Sequence, residues 1–457
     1  MSETKVTIDD TLKLLADGKK YTAIKDMLSL MNPSDVAAIC DNLEESYLPV
    51  VFRLLPKEIA ADAFVEMSPD IQEILIKAFS DTELKQVINE LYVDDAVDIV
   101  EEMPANVIKR ILSQATPEMR KSINEILKYP EDSAGSVMTT EYVSLRENWT
   151  VGESLSYIRK SGLNKETIYI CYVTSSRKLV GWISVKDMLL AESDDTRISD
   201  LMQENVISVN TLTDKEEVAR MFGKYNFLAM PVTDSENRLV GIITFDDAMD
   251  VMEEETTEDI AIMSGTSPSD KPYLKLSPIE LFLHRIPWLA IMMISSTFTG
   301  MIINSYENAL AANVILTAFI PMLMGTGGNS GSQSSVTIIR AISLGELEFR
   351  DLPKVIIKEL LTAILCGVAL GCVCFAKMYF IDRLVLNNPD LTASIGFVVS
   401  LAMALTIIVA KILGGTLPLI AKKLGTDPAV MASPFITTCV DALSLIVYFT
   451  IASKVLF

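Results

Sequence analysis

The sequence predicts a multidomain membrane protein with an α-superhelical N-terminal domain, an α+β pair of repeated domains, and an all-α transmembrane domain of five helices. Three observations carry that expectation. Acidic residues crowd the first 275 positions, near-duplicate segments recur between 137 and 252, and long uncharged runs fill the chain beyond 284. The expected bounds are 1–130, 131–252, a connecting helix and linker at 253–283, and the membrane domain at 284–457.

Charge separates these regions before any motif does. The 457 residues hold 60 acids and 39 Lys or Arg; residues 1–275 take 50 and 28 of them, residues 276–457 only 10 and 11. So steep an asymmetry implies two environments. The acidic part repels nucleic acid, which is excluded as a partner, and attracts cations. Six scattered cysteines and one histidine, His284, show no disulfide or zinc spacing, which fits a reducing compartment. No apolar core precedes residue 280, so no secretory signal is expected and the first 275 residues belong in the cytoplasm.

Residues 1–130 read as short helices. Apolar residues recur at helical spacing in Ile71/Ile74/Leu75/Ala78 and Leu84/Val87/Ile88/Leu91. Breaks at Pro56, Pro69, Asp81, Asp94, Pro104 and Pro117 fall 10 to 13 residues apart. Proline just inside a helix start, after a Ser, Thr or Asp cap, fits such breaks. Near-regular spacing suggests stacked helical repeats. No catalytic constellation appears in them.

Residues 137–252 are duplicated. Val137-Met138-Thr139-Thr140-Glu141-Tyr142-Val143-Ser144 is echoed from Leu201 to Ser208, and Leu179-Val180-Gly181-Trp182-Ile183-Ser184-Val185-Lys186-Asp187 from Leu239 to Asp247. Each copy reads as strand, turn, strand, helix. This pattern resembles a pair of CBS domains. The resemblance implies an adenine-nucleotide cleft, in which Ser184/Asp187 and Thr244/Asp247 stand where phosphate and ribose are held. The same residues are also ordinary helix caps.

Uncharged runs of 21 residues (286–306), 32 (308–339), 17 (360–376) and 20 (391–410), and a last run interrupted by Asp441, predict five spans. A bilayer needs about 20 residues per helix. The spans are 284–306, 311–339, 356–381, 391–421 and 428–453. Arg340, Arg350, Lys354 and Lys358 follow the second, and Lys422 and Lys423 follow the fourth. This bias puts the N-terminus inside and the C-terminus outside the plasma membrane.

Asp441 is the most informative position. A carboxylate near the middle of a span costs roughly 2.5–3.5 kcal/mol on insertion scales. Thr437, Thr438 and Ser444 share its helix face. Such a stripe faces either an ion path or an intramembrane partner, Lys411 being the available cation. One carboxylate per chain becomes two on a symmetry axis, which favours a divalent cation. In Gly325-Thr326-Gly327-Gly328-Asn329-Ser330-Gly331-Ser332-Gln333, dense glycine is expected to weaken the helix and turn carbonyls toward a cavity. With the Asn329 amide and Ser332 hydroxyl, these oxygens suit the retained waters of magnesium. Close helix packing through small residues is the other reading.

The Gly327–Gln333 stretch, with Asp427-Pro428-Ala429, Ser433-Pro434, Thr437-Thr438 and Asp441, resembles the signature of MgtE-type magnesium channels. Domain order agrees with that family along the whole chain. The resemblance implies a homodimer in the lipid bilayer with its pore on the two-fold axis, where Asp441 holds hydrated Mg2+ near Gly328, Asn329, Ser332 and Thr437. Asp427 guards the cytoplasmic mouth or caps a helix. The resemblance further implies that Mg2+ closes the pore by binding between the cytosolic domains. The matching acids are Asp94, Asp98, Asp214 and Glu216, with Asp246, Asp247, Asp250, Glu254, Glu255, Glu258 and Asp259 about the connecting helix. Tyr169, Lys186 and Asp187 match an ATP site. Asn226 stands where an acid would suit regulation, and Ser332 where Asn would suit the pore.

An alternative reading is an ion-coupled secondary transporter of Mg2+ or Co2+, in which Asp441 exchanges protons with the cation. A membrane-anchored sensor has no use for that carboxylate. An enzyme is not expected, because no P-loop or nucleophile–base set occurs.

Overall fold

A computed structural model describes residues 8–269, 271, 273–307, 311, 313–386, 388 and 391–456. The chain divides into two compact units, Met1–Met252 and Glu253–Phe457.

The first unit opens with ten short helices, Ile8–Asp17 to Pro117–Ile126. From Lys57 onward they start at 57, 69, 81, 93, 105 and 117, every twelve residues. The repeat is more regular than the prolines alone suggest, because caps other than proline start some turns. Ser80 and Glu83 form a reciprocal capping box, and the Thr116 hydroxyl accepts from Met119 N. Each cap satisfies N–H groups that a helix start leaves without partners. Apolar faces close on one core, in which Phe52, Phe64 and Phe79 pack with ring centroids 5.2–6.2 Å apart. Burying a side chain of this kind contributes roughly 1.5–3 kcal/mol.

The duplicated region folds as two matching three-stranded sheets. β1 (Ser144–Arg146) runs parallel to β2 (Ile170–Ser175), which pairs antiparallel with β3 (Lys178–Ser184). β4 (Val209–Asn210), β5 (Ala229–Thr233) and β6 (Leu239–Thr244) repeat this arrangement. Even the bulges correspond, at Val173/Thr174 and Val232/Thr233. The copies exchange edges. Thr139, ahead of the first copy, bridges Ile242 of the second, while Gln203, ahead of the second, bridges Trp182 of the first. Gly181 and Gly241 permit this: a Cβ on Gly241 would stand 2.6 Å from Met138 Sδ and 2.8 Å from Thr139 O, and one on Gly181 2.8 Å from Met202 Sδ.

The helix Phe245–Met263 begins in the first unit and ends in the second. Among the described residues, four segments of the second unit are long and apolar enough to cross a bilayer: Pro278–Ser305, Phe349–Val385, Ala393–Lys423 and Pro428–Leu456. The sequence predicts five. The remaining candidate, Ile320–Ser343, is one α-helix of 24 residues, about 36 Å at 1.5 Å per residue. It is uncharged up to Arg340 but rich in Gly, Ser and Thr, so it meets the length criterion without being as apolar as the others. The first span starts six residues earlier than predicted, because Ser277 and Glu280 form a capping box ahead of His284 and Arg285. Leu316, Phe319 and Leu323 pack with Val398, Ile407, Leu445, Tyr448 and Phe449 in the core of this unit. The Tyr448 hydroxyl donates to Leu316 O at 3.0 Å.

Candidate functional site

Two groups of polar residues stand out, one in each unit. In the first unit, the helix Val93–Glu102 places Asp94 and Asp95 in its first turn and Asp98 one turn further on. Val93 N donates to Glu141 Oε2 at 3.2 Å, tying this helix to the segment ahead of β1. Asp94 is 6% exposed, and its Oδ1 and Glu166 Oε2 are buried without a hydrogen-bond partner. Asp247 accepts from Thr244 Oγ1 at 2.5 Å and from Thr244 N at 3.2 Å.

These carboxylates repel one another across a seam in which Asp94 is buried, Asp95, Glu166 and Asp247 are half-buried, and Asp98 and Asp246 are exposed. Burial and then the charge of Asp247 push Asp94 well above the usual carboxylate range. The same two causes raise Asp95 to about 7, Asp98 to about 8 and Glu166 to about 8. Asp98 sits at the rim, exposed on one side and crowded by protein on the others, so solvent screens part of that repulsion. Asp247 rises to about 6 by burial, opposed by its bonds from Thr244. Asp246 adds charge against Asp95, Asp247 and Glu166, and Asp250 against Asp247. Among the described residues, no three His, Cys, Asp or Glu side chains converge closely enough to hold a bare ion.

The sequence anticipates Asp94, Asp98, Asp246 and Asp247 here but misses Asp95 and Glu166. The adjacent pair Asp94-Asp95, with Asp98 a turn later, was a legible signal for the first. Glu166 lies on a loop and gave none. Asp214 and Glu216 are engaged locally. Asp214 caps the helix Lys215–Tyr225, accepting from Glu216 N at 2.9 Å, and Glu216 pairs with Arg220 at 3.2 Å. Asn226 closes that helix at φ 55°, a left-handed conformation that suits Asn.

At the end of β3, the Ser184 hydroxyl donates to Asp187 Oδ2 at 2.6 Å and accepts from Asp187 N at 3.0 Å. Val185 N donates to Tyr169 O at 3.0 Å, which brings Tyr169 beside this turn. Tyr169, Lys186 and Asp187 are all exposed there. They form an open ledge with a ring, a cation and a capped carboxylate.

In the second unit, Asp441 lies half-buried on the helix Ser433–Leu456, and its Oδ1 is buried without a partner. Gly328 packs on the helix turn before it, where an added Cβ would stand 2.9 Å from Thr437 Cγ2. The glycine-rich segment is not weakened. It runs as continuous α-helix, and Gly327, Gly328 and Gly331 face neighbouring helices at close approach. Its carbonyls stay within the helix, contrary to the expectation that they turn to a cavity, because packing against Thr406, Thr437 and Ile436 supports the glycines. Asn329 and Gln333 lie on the exposed face, with Ser332 half-buried. Among the described residues no ion pair joins Asp441 to Lys411. Lys411 Nζ donates to Ser334 Oγ at 3.3 Å.

Asp427 Oδ1 accepts from Ala429 N at 2.7 Å and so caps the turn Pro428–Met431. Asp259 accepts from Ser343 Oγ at 3.1 Å; burial raises its carboxyl, with a further push from Asp427. Glu254 and Glu258 are exposed and Glu255 is half-buried on the same helix.

Comparison with known proteins decides the family. The MgtE divalent cation transporter model matches residues 320–451, the MgtE intracellular N domain 31–132, and CBS domains 134–194 and 198–254. The chain is 36% identical over 439 residues to a magnesium transporter MgtE of Thermus thermophilus, covering 95% of both chains. It belongs to the MgtE family of magnesium transporters. The Bacillus subtilis magnesium transporter MgtE is 33% identical over 96% of this chain and 95% of its own length. The solved cytosolic domain of an MgtE Mg2+ channel in complex with ATP is also similar to this chain. It aligns with a TM-score of 0.51 and 35% identity over 53% of this chain and all of that one.

Proposed function

We propose that this member of the MgtE family is a Mg2+ channel of the plasma membrane, with five spans, cytoplasmic N-terminal domains and its C-terminus outside. The observation that carries the reading is the orphaned Asp441 oxygen on a membrane helix, one turn beyond Thr437, against which Gly328 packs. A carboxylate at membrane depth marks an ion path rather than a lipid-facing wall. In a homodimer, Asp441 of each subunit holds a hydrated Mg2+ on the two-fold axis. Asn329, Ser332 and Thr437 supply oxygen groups to its waters, Gly328 lets its helix pack closely against Thr437, and Asp427 stands at the cytoplasmic end.

Mg2+ is also the regulator in this reading. Asp94, Asp95, Asp98, Glu166, Asp246 and Asp247 offer only oxygen donors, two of them buried and unsatisfied, which suits a hard cation. Bound Mg2+ relieves their repulsion and shifts the population toward a compact, closed form. Asp250, Glu254, Glu255, Glu258 and Asp259 extend the acidic donors along the connecting helix, while Asp214 and Glu216 must first leave their cap and ion pair. ATP binds at Tyr169, Lys186 and Asp187, as the ATP-bound relative suggests.

Mg2+ uptake into liposomes tests pore and gate together. Asp441→Ala abolishes flux, and a form lacking residues 1–275 conducts at internal Mg2+ that closes the full chain. Unchanged flux in Asp441→Ala would overturn the pore reading.

A further inference from the structure

Asp94 and Lys411 are the two charged side chains that are fully buried among the described residues, at 6% exposure each. The function proposed above uses the first and leaves the second idle. Lys411 lies within the apolar helix Ala393–Lys423, where an unpaired ammonium is expensive. Its Nζ donates to Ser334 Oγ at 3.3 Å. Ser334, 3% exposed on the glycine-rich helix, donates in turn to Glu359 Oε2 at 2.6 Å. A hydroxyl has one proton to give and lone pairs to accept with, so Ser334 serves both ions at once. No direct Lys411–Glu359 ion pair occurs among the described residues, so the hydroxyl is the link. Three membrane helices thus meet at one charge-balanced chain of hydrogen bonds.

The neighbouring backbone is cut to admit it. A Cβ on Gly415 would stand 2.8 Å from Glu359 Cγ, and one on Gly414 would collide with the Gly331 carbonyl and lie 3.2 Å from Ser334 Cβ. The consecutive glycines therefore make room for the carboxylate on one side and for the glycine-rich helix on the other. Ser334 shares its buried face with Gly327 and Gly331, whereas Asn329 and Gln333 are exposed on the other side. Turning that helix by one residue rotates it about 100° and carries the amides away from where they now point.

We infer that Glu359, Ser334 and Lys411 form a relay that fixes the rotation and depth of the glycine-rich helix, so that its polar face lines the ion path; Lys411 is thus a positioning residue for permeation. The inference rests on the pore reading above. It also accounts for the unpaired state of Asp441: the buried cation is neutralised elsewhere, which leaves the pore carboxylate to the permeating ion.

Lys411→Met keeps the aliphatic stem and removes the charge, leaving Glu359 without a counter-ion. In liposomes it is expected to lower Mg2+ flux by about tenfold, and Glu359→Gln with Lys411→Met to recover flux to within about threefold of wild type, since opposite charges coupled through one hydroxyl are dispensable only together. Lys411→Met also shifts the ratio of Mg2+ to Co2+ flux, which a mere loss of folded protein would leave constant. Wild-type flux and ratio in Lys411→Met would overturn the relay, as would a double variant no better than the single. Should Lys411→Met not yield folded protein, the double variant must do so; failure of both also overturns the relay. Asp441→Ala in the same assay keeps the two readings apart. Its flux is lost if the pore reading holds, whatever the relay variants do. If its flux is normal, the pore reading fails, and the relay then stands or falls on whether the double variant recovers the melting temperature lost in each single.

Discussion

Asp94 shows what a single buried carboxylate does when nothing neutralises it. Its Oδ1 lacks a partner, and its carboxyl is held well above the ordinary range by burial and by Asp247. Asp94→Asn keeps the shape and deletes the charge. In Mg2+-free buffer it is expected to raise stability by about 1–2 kcal/mol, because a desolvated charge is relieved. The same change is expected to shrink the stabilisation that Mg2+ confers. Melting curves of the full-length protein with and without Mg2+ check both; an unaltered Mg2+ response would remove Asp94 from the site. Gly241 illustrates the opposite case, in which the absence of an atom matters. Gly241→Ala places a Cβ against the Thr139 carbonyl, at an expected cost of about 1–3 kcal/mol, read as a lower melting temperature.

At the scale of elements, the acidic helix Val93–Glu102 sets a pH dependence with a definite sign. Asp95, Asp98 and Glu166 are held at about 7, 8 and 8, against about 4 for an unfolded carboxylate. The folded seam binds protons that the unfolded chain releases, so the Mg2+-free seam is most stable below about pH 4 and weakens as pH rises toward 8. Mg2+ replaces those protons, and its stabilising effect is expected to grow across the same window. Titrating Mg2+-dependent protease protection at pH 5.5 and 8.0 tests this, with tighter apparent Mg2+ binding expected at the higher pH. The glycine-rich helix shows where element-level reading of a sequence goes astray. Glycine density signals a weakened helix when propensity alone is considered, but helix–helix packing at Gly327, Gly328 and Gly331 overrides it.

For the whole molecule, the order of helical repeats, duplicated sheets and membrane helices was readable because each has its own period: about twelve residues between helix starts, a duplication between 137 and 252, and uncharged runs near bilayer length. Asp441 was readable because a charge is conspicuous in apolar surroundings. Glu166, Ser334 and Glu359 were not. Their importance comes from what tertiary packing puts beside them, and Ser334 in isolation is one more small residue in a small-residue helix. Lys411 drew notice as an anomaly, but its partners lie 77 residues away in the chain, at Ser334, and one bond further on, at Glu359. Chelating Mg2+ is expected to increase proteolysis within residues 90–170 of the full-length protein, while the membrane helices stay protected. Equal cleavage with and without Mg2+ would detach the acidic seam from the metal.

The crossed edges of the duplicated sheets also bear on biosynthesis. Among the described residues Thr139 bridges Ile242, so the segment ahead of the first copy leaves the ribosome with its rim still unpaired. At ~5–20 residues per second, that rim waits several seconds for the second half to emerge. A nascent chain stalled in that interval exposes a template for pairing with its neighbours on the same polysome.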